Sequence, residues 1–290
     1  MRRLLIVGCG DIGLRVARSV RGRWRIYALT RPESRLDALR ALGILPVPGD
    51  LDRPDTLDRL AGLAQDVLHF APPPSGGLRD SRTANLLRAL TRAGSLPQRL
   101  VYISTSGVYG DCRGAMVDET RPARPMTDRA RRRLDAERTL RAWGAETGAH
   151  VAILRVPGIY APERLPIERL KSGLPVLARD QDPYTNHIHA DDLARIVIAA
   201  LNRGRAGRAY NASDDSSLRM GEYFDLVADR FRLPHPPRLD WDHARQAVPE
   251  TLLSFMRESR RLANRRLKKE LRVRLRYPSV AHGVPHIGRA

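Results

Sequence analysis

A regular alternation of short apolar runs with helical stretches through residues 4–156 constrains the fold of this chain more than any other feature. The apolar runs have the length of β-strands, and the segments between them have the apolar spacing of helices. The predicted strands are Leu4–Val7, Arg25–Leu29, Ile44–Val47, Asp66–Ala71, Leu100–Ser104 and Val151–Val156. Such alternation predicts an α/β fold in which helices cover both faces of a doubly wound parallel sheet.

The intervening segments and the second half of the chain supply the predicted helices. They are Ile12–Val20, Ser34–Leu42, a helix opening near Asp52 and Pro54, Leu78–Ala93, Thr127–Trp143, Asp191–Leu201, Met220–Phe231 and Pro249–Leu271. Prolines break the pattern after Gly158, and two later strands are predicted at Ala209–Ala212 and Val273–Tyr277. We therefore expect one domain over 1–158 and a small C-terminal lobe over 159–290, from which 185–212 returns to the first core.

A glycine-rich loop, Gly8-Cys9-Gly10-Asp11-Ile12-Gly13, directly follows the first predicted strand and opens the first predicted helix. Gly8 permits a tight turn, Gly10 lets a pyrophosphate approach the backbone, and Gly13 lets the helix pack on the strand. The N–H groups at the start of the helix, at Asp11 and Ile12, would bind phosphate. In this context the loop predicts a Rossmann-type dinucleotide site, whereas alone it would fit a flexible turn equally well.

The end of the second strand bears on which dinucleotide binds. An acid there would hydrogen-bond the ribose 2′-hydroxyl of NAD, but this chain has Thr30 followed by Arg31, with Arg35 one turn later. A guanidinium suits a 2′-phosphate, so the sequence favours NADP over NAD. The alternative is that Arg31 is simply one of the chain's many solvated arginines.

The charge of the chain has to be explained before a binding partner is assigned. The 290 residues carry a formal net charge of +19, and all basic residues but Lys171, Lys268 and Lys269 are arginines. The arginines are spread along the chain and aromatic residues make up only 5%, so nucleic-acid binding is not expected. No apolar run has the length of a membrane span, and Cys9 and Cys112 match no disulfide or zinc pattern. We expect a cytoplasmic protein without a metal site.

Further segments follow the glycine loop in a fixed order. They are Asp50-Leu51, Ala71-Pro72-Pro73, the run Val-Tyr-Ile-Ser-Thr-Ser-Gly-Val-Tyr-Gly over 101–110, the run Arg-Val-Pro-Gly-Ile-Tyr over 155–160 and the run Asn-His-Ile-His-Ala-Asp-Asp-Leu-Ala over 186–194. In this order they resemble the short-chain dehydrogenase/reductase superfamily, most closely its extended, sugar-nucleotide-epimerase-like branch and the atypical members of that branch.

The resemblance implies roles for these segments. Asp50 and Leu51 would hold the adenine, and Ala71 and Pro72 would lie beside the cofactor. Pro157 and Ile159 would flank the nicotinamide. The branch often dimerises through its fourth and fifth helices, so the resemblance allows a homodimer.

The same resemblance exposes a departure in the catalytic residues. Thr105 matches the Ser/Thr that orients the substrate, but the Tyr-x-x-x-Lys pair falls on Arg129 and Arg133. Arg133 could still bind the nicotinamide ribose, whereas Arg129 cannot exchange a proton at neutral pH. Candidate replacements for the missing acid are Tyr109, Tyr160 and His187, each of which also fits a structural role. We take Thr105 and Tyr109 as the candidate catalytic pair.

Two charged segments are open to both functional and structural interpretations. Asp191 and Asp192 stand at the start of a predicted helix, where carboxylates stabilise the helix dipole, and we interpret them as capping residues. The basic segment Arg257–Arg276 is interpreted as a lobe helix packed by leucines, the alternative being capture of a phosphate. Neither feature is needed for the functional hypothesis.

Two functions from different classes are compatible with these features. The first is an epimerase/dehydratase-like or reductase-like enzyme that uses NADP on the carbonyl or hydroxyl group of a small substrate, either free or nucleotide-linked. The second is a catalytically silent NADP-binding sensor or assembly factor, favoured by the loss of the tyrosine. The intact glycine loop and Thr105 fit both.

Overall fold

The computed structural model describes residues 1–31, 33–92 and 94–286. In chain order its strands are β1 (Arg2–Val7), β2 (Trp24–Thr30), β3 (Leu45–Pro48), β4 (Asp66–His69), β5 (Arg99–Thr105), β6 (Met116–Val117), β7 (His150–Val156), β8 (Gly158–Tyr160), β9 (Val176–Leu177), β10 (Tyr184–Thr185), β11 (His187–His189), β12 (Arg208–Asn211), β13 (Leu218–Arg219), β14 (Arg238–Leu239) and β15 (Arg261–Leu262).

The helices include long ones against the sheet and short ones in the C-terminal half. They are α1 (Asp11–Val20), α2 (Leu36–Ala41), α3 (Ser81–Thr91), α4 (Asp128–Thr147), α5 (Ile167–Lys171), α6 (Ala190–Arg203), α7 (Met220–Phe231), α8 (Trp241–Ala247), α9 (Glu250–Met256), α10 (Arg265–Glu270) and α11 (Val280–Gly283). Short 3-10 helices lie at Glu33–Arg35, Pro54–Leu60, Ser106–Tyr109 and Pro162–Arg164.

A parallel sheet of seven strands in the order β12-β7-β5-β4-β1-β2-β3 forms the centre of the structure. Its register pairs Val7 with both Leu29 and His69, so the carboxyl ends of β1, β2 and β4 meet at one edge. The strand order reverses at β1, and ligands of such sheets bind outside the carboxyl ends at this reversal. The predicted Rossmann-type, doubly wound α/β fold is confirmed.

Alternating residues of β1 explain how the sheet is buried on both faces. Leu4 and Ile6 belong to a cluster with α1 and α6, while Leu5 and Val7 belong to one with α3 and α4. A third cluster, which includes Tyr160, Val176, Phe224 and Val227, forms the core of the C-terminal lobe. No helix within the described ranges is long and apolar enough to cross a bilayer.

The C-terminal segment differs from the prediction. The single helix expected over Pro249–Leu271 is wrong, since α9 ends at Met256 and α10 begins at Arg265. Between these helices the backbone forms hydrogen bonds to distant residues in place of helical ones. Arg261 N–H donates to the Ala115 carbonyl and Leu262 N–H to the Asn186 side chain. The strand expected over Val273–Tyr277 is also absent from the described structure.

A buried ion pair joins α4 to the sheet. Arg155 on β7 donates to both carboxylate oxygens of Glu137 on α4, at 3.1 and 2.8 Å, and Ser104 Oγ donates at 2.7 Å to the same carboxylate. Glu137 is 0% and Arg155 5% exposed. Burial opposes the charge on Arg155, but the Glu137 carboxylate more than offsets this and raises the guanidinium pKa.

We predict that Glu137→Gln lowers the free energy of unfolding by about 3–5 kcal/mol, because the substitution leaves the Arg155 cation buried without its counter-ion. Urea unfolding followed by circular dichroism measures the loss. Glu146→Gln, an exposed position on the same helix, is the matched control and should shift stability by less than about 0.5 kcal/mol. Equal shifts for the two variants would contradict the role given to the pair.

Candidate functional site

The glycine loop lies at the reversal of strand order, between β1 and α1. Gly8 has a φ of +87°, and a side-chain carbon there would come within 2.5 Å of the Ala71 backbone nitrogen. A carbon added to Gly10 would meet no atom within 4 Å, so Gly10 faces open space. No side chain among the described residues caps α1, whose first N–H groups therefore remain available to a ligand.

A cavity of about 410 Å³ opens beside this loop, and we call it the loop cavity. Its wall contains many of the residues predicted to bind the cofactor, namely Gly8, Gly10, Arg31, Arg35, Asp50, Leu51, Ala71 and Pro72. Arg31 is exposed at its rim, and Arg35 Nη2 donates at 2.7 Å to the carbonyl of Cys9. Burial raises the pKa of the Cys9 thiol to about 11, so this cysteine is a neutral packing residue.

Arg82 is a wall residue that the sequence analysis missed. It bonds both carboxylate oxygens of Asp52, at 2.8 and 2.6 Å, and donates to the carbonyls of Pro72 and Pro73. The contacts connect the loop after β3 to the loop after β4. No motif marks a lone arginine on α3, and only the fold brings it there.

The loop cavity fits the phosphate and adenosine parts of a dinucleotide. The open space at Gly10 gives room for phosphate groups, and the uncapped start of α1 gives N–H donors. Arg31 and Arg35 add cations at the wall, while Arg82, the third arginine there, is paired with Asp52. Thr30 ends β2 and its Oγ1 is buried without a hydrogen-bond partner among the described residues. These residues would hold such a cofactor.

Some predicted cofactor residues lie off this wall. Asp11 turns outward and pairs with Arg15 and Arg164, at 2.8 and 3.0 Å. Ile12 packs in the core, and Gly13 lies close to Ile6, which brings helix and strand together as expected of the third glycine. Their contribution to binding would come through the backbone.

A second cavity of about 420 Å³ lies at the ends of β5 and β7, and we call it the substrate cavity. Thr105, Arg129, Arg133, Pro157 and His187 are on its wall; the half-buried Ile159, predicted beside Pro157, is not. Thr105 Oγ1 accepts a hydrogen bond from Gly107 N–H at 3.2 Å. Because that bond uses a lone pair, the Thr105 hydroxyl proton remains available to a substrate oxygen.

Arg129 and Arg133 begin α4 one turn apart and line the substrate cavity together. Arg133 Nη1 donates to the Ile103 carbonyl at 2.8 Å and to the Tyr102 hydroxyl at 3.0 Å. Arg129 lies over the Phe255 ring, 4.4 Å from its centroid. Partial burial lowers the pKa of Arg129; the nearby Glu258 carboxylate opposes this effect, and Arg133 and Arg132 add to it.

Tyr109 and Tyr160 lie off the wall of the substrate cavity, which argues against either as the missing acid. Tyr109 is 1% exposed, its hydroxyl donates to Asn211 Oδ1 at 2.8 Å, and its ring faces Arg155. Tyr160 donates to the carbonyl of Ser279 at 3.2 Å. Burial raises the pKa of both phenols. The sequence spacing could not show that these rings turn into the core.

His187 is, by contrast, part of the wall. It is on β11, paired with Gly158 of β8, and its ring stacks on Tyr223 with the centroids 4.1 Å apart. Neither ring nitrogen has a hydrogen-bond partner among the described residues, and Nδ1 is enclosed, which leaves Nε2 as the reachable nitrogen. Burial lowers the pKa of His187 to about 3, so the ring is neutral at pH 7.

The segment between α9 and α10 closes the cavity with Glu258 and Arg260. Their side chains pair at 2.8 Å, and Arg260 also donates to the Gly110 carbonyl at 2.7 Å. The segment is fixed at Ser259, whose carbonyl accepts N–H groups from Cys112 and Gly114. Neither residue was singled out from the sequence, because the basic segment looked like one continuous helix.

The acidic pair Asp191-Asp192 lies in the first turn of α6, but neither carboxylate caps the helix, because the N-cap is His189, whose Nδ1 accepts the Asp191 N–H at 3.1 Å. Asp192 is fully buried and accepts the N–H groups of Arg276 and Tyr277, at 2.9 and 2.7 Å. Asp191 pairs with Arg15. Both carboxylates are therefore engaged in structure and lie off the wall of either cavity.

Comparison with known proteins gives consistent matches across the chain. A family model described as the NAD dependent epimerase/dehydratase family matches residues 4–213. Protein YeeZ of Escherichia coli (strain K12) is 28% identical over 245 residues, 81% of this chain and 86% of YeeZ. A dTDP-glucose 4,6-dehydratase of Mycobacterium tuberculosis (strain H37Rv) is 28% identical over 285 residues, 87% of this chain and 83% of the enzyme.

Solved structures agree with this fold. A functionally unknown conserved protein from Silicibacter pomeroyi has a TM-score of 0.82 and 30% identity, over 98% of this chain and 96% of that one. MoeE5, in complex with UDP-glucose and NAD, has a TM-score of 0.74 and 23% identity, over 97% and 95% of the two chains. At that identity the second likeness concerns the fold alone.

We predict that Gly10→Val abolishes dinucleotide binding and leaves the fold intact, because the branched side chain would fill the open space that a pyrophosphate needs. Calorimetry with NADPH and far-ultraviolet circular dichroism measure the two properties. Gly76→Val is the matched control, since Gly76 is exposed, has open space around it and lines neither cavity. Normal NADPH binding by Gly10→Val would show that the loop is misassigned.

Proposed function

The chain belongs to the NAD dependent epimerase/dehydratase family, and on that basis we propose that it is an NADP-dependent oxidoreductase acting on a hydroxyl or carbonyl group of a small molecule. One observation carries the proposal: both cavities open at the carboxyl edge of one sheet, the loop cavity at β1, β2 and β4 and the substrate cavity at the neighbouring β5 and β7. A dinucleotide whose phosphates lie at Gly10 would extend toward Thr105 and Pro157. The relatives that act on or hold sugar nucleotides support a hydroxyl-bearing substrate.

The preference for NADP rests on the end of β2. Thr30 ends this strand and Arg31 follows at the rim of the loop cavity, with Arg35 on the same wall. A 2′-phosphate there would meet cations, whereas an unmodified ribose would lack the acidic partner usual for NAD. The family description, which names NAD, supports the opposite preference, and this makes cofactor choice the first property to measure.

The residues around the substrate cavity divide the chemical work. A bound nicotinamide cofactor would supply or accept a hydride. The Thr105 hydroxyl would donate a hydrogen bond to the substrate oxygen and so fix the position of that oxygen. Arg133 would place positive charge beside the nicotinamide ribose, although its described hydrogen bonds go to Tyr102 and Ile103.

Proton exchange would fall to His187. Arg129 stands in the tyrosine position and cannot release a proton at neutral pH, and Tyr109 lies off the wall. His187 lies beside Gly158 and has a reachable nitrogen, so it would take the substrate hydroxyl proton during oxidation and return it during reduction. Burial lowers its pKa to about 3, so this role requires that the bound ligands raise that pKa. The position of Arg129 favours the rival function, a silent NADP-binding protein.

We predict at least tenfold tighter binding of NADPH than of NADH, since a charge-assisted contact from Arg31 contributes about 1.5–3 kcal/mol. Calorimetry with both cofactors measures the ratio. Arg31→Ala should remove the preference, while Arg40→Ala, an exposed arginine paired with Asp37, should retain it. If the two cofactors bind equally, NADP is the wrong assignment.

We predict that His187→Phe lowers NADPH-dependent turnover of a carbonyl panel by about 10²–10⁴ with unchanged NADPH affinity, because phenylalanine keeps the stack on Tyr223 and lacks the nitrogen. Tyr109→Phe is the comparison and should retain most of the activity. The reverse ranking would return the role to Tyr109. Absence of turnover in every variant, with NADPH still bound, would favour the silent protein.

A further inference from the structure

We propose that the substrate is a carboxylic acid, and that Arg129 binds its carboxylate beside the reacting carbon. This inference rests on the proposed function for the position of that carbon near Thr105. It goes further by naming an acidic substrate and by giving Arg129 a specificity role in place of the lost catalytic one.

The charges on the wall of the substrate cavity do not balance. Four arginines line it, namely Arg129, Arg133, Arg169 and Arg260, against one carboxylate, Glu258. Glu258 is already paired with Arg260. For the other three arginines, no carboxylate oxygen among the described residues lies within the 4.0 Å of an ion pair. An anionic ligand would supply the missing negative charge.

One of these cations, Arg169, is also poorly solvated. It lies 4.3 Å from the centroid of the Phe224 ring, and its Nε is buried without a hydrogen-bond partner within the described part of the chain. Burial lowers the pKa of Arg169. Holding a partly desolvated cation without a counter-ion costs stability, and a bound anion would reverse that cost.

Arg129 is the cation placed at the reacting end. It lies in the first turn of α4, and the next residue, Ala130, would be 3.7 Å from a side-chain carbon built on Gly107. The start of α4 thus lies over the turn that begins at Thr105. Arg133 is committed to Ile103 and Tyr102, whereas the Arg129 guanidinium makes no hydrogen bond with any described residue.

The geometry of the helix start favours a carboxylate over a phosphate. Thr127 Oγ1 caps α4 by accepting the Ala130 N–H at 3.2 Å, so one of the N–H groups that a phosphate site would use is already engaged. By contrast, no side chain caps α1 beside the loop cavity, so its first N–H groups are open to a phosphate. A planar guanidinium alone matches a planar carboxylate through two parallel hydrogen bonds.

Binding of inert probes tests the inference without requiring turnover. Oxamate carries one carboxylate, oxamide is its neutral counterpart, and pyrophosphate represents phosphate ligands; each is titrated by calorimetry into the NADPH-saturated protein and into the protein alone. We expect oxamate to bind at least tenfold more tightly than oxamide. Arg129→Gln should remove this difference, and Arg131→Gln, an exposed arginine of α4 paired with Asp128, should preserve it.

Three results would overturn the inference. They are equal affinities for oxamate and oxamide, an oxamate preference that survives Arg129→Gln, and tighter binding of pyrophosphate that depends on Arg129. None of them bears on turnover of neutral carbonyls with NADPH, by which the proposed function is judged. If NADPH fails to bind while the Arg129-dependent oxamate preference holds in the protein alone, the proposed function fails and the carboxylate site remains.

Discussion

The buried ion pair of Glu137 and Arg155 is the interaction on which the geometry of the site depends. It fixes the middle of α4 against β5 and β7. Helical periodicity then determines which side chains earlier in α4 face the same way as Glu137. Arg133 lies four residues before Glu137 and Arg129 four before Arg133, so all three share one side of the helix. The same carboxylate that stabilises the fold therefore determines which side chains of α4 reach the substrate cavity.

The two cavities use different chemistry because they are built from different parts of the chain. The loop cavity owes its fit to the backbone, since Gly8 and Gly10 contribute no side chain and α1 begins uncapped. The substrate cavity is dominated by guanidinium groups that cannot give up a proton at neutral pH. A site with this composition can polarise and orient a substrate strongly, and has His187 as the one wall residue we assign to proton exchange.

The sequence predicted most of the sheet because its signals are local. Apolar runs, the glycine loop and the helix over Met220–Phe231 depend on neighbouring residues, and they were found where expected. The basic C-terminal segment failed because its backbone bonds to Asn186 and Ala115, far away in sequence.

Side-chain direction limited the prediction of the site in the same way. From sequence position Tyr109 was preferred over His187, yet the Tyr109 hydroxyl turns toward Asn211 and the His187 ring lies on the cavity wall. Arg82 carried no signal at all, since its partner Asp52 is 30 residues away.

The attachment of Ser259 to the loop after β5 has a consequence for how ligands enter. Glu258 and Arg260 belong by sequence to the C-terminal lobe, yet Cys112, Gly114 and Asp111 bind Ser259 to the first domain. A hinge motion of the lobe could not carry these two wall residues away without breaking those bonds. This part of the wall is thus preorganised, which lowers the entropy lost when a ligand binds against Glu258 and Arg260.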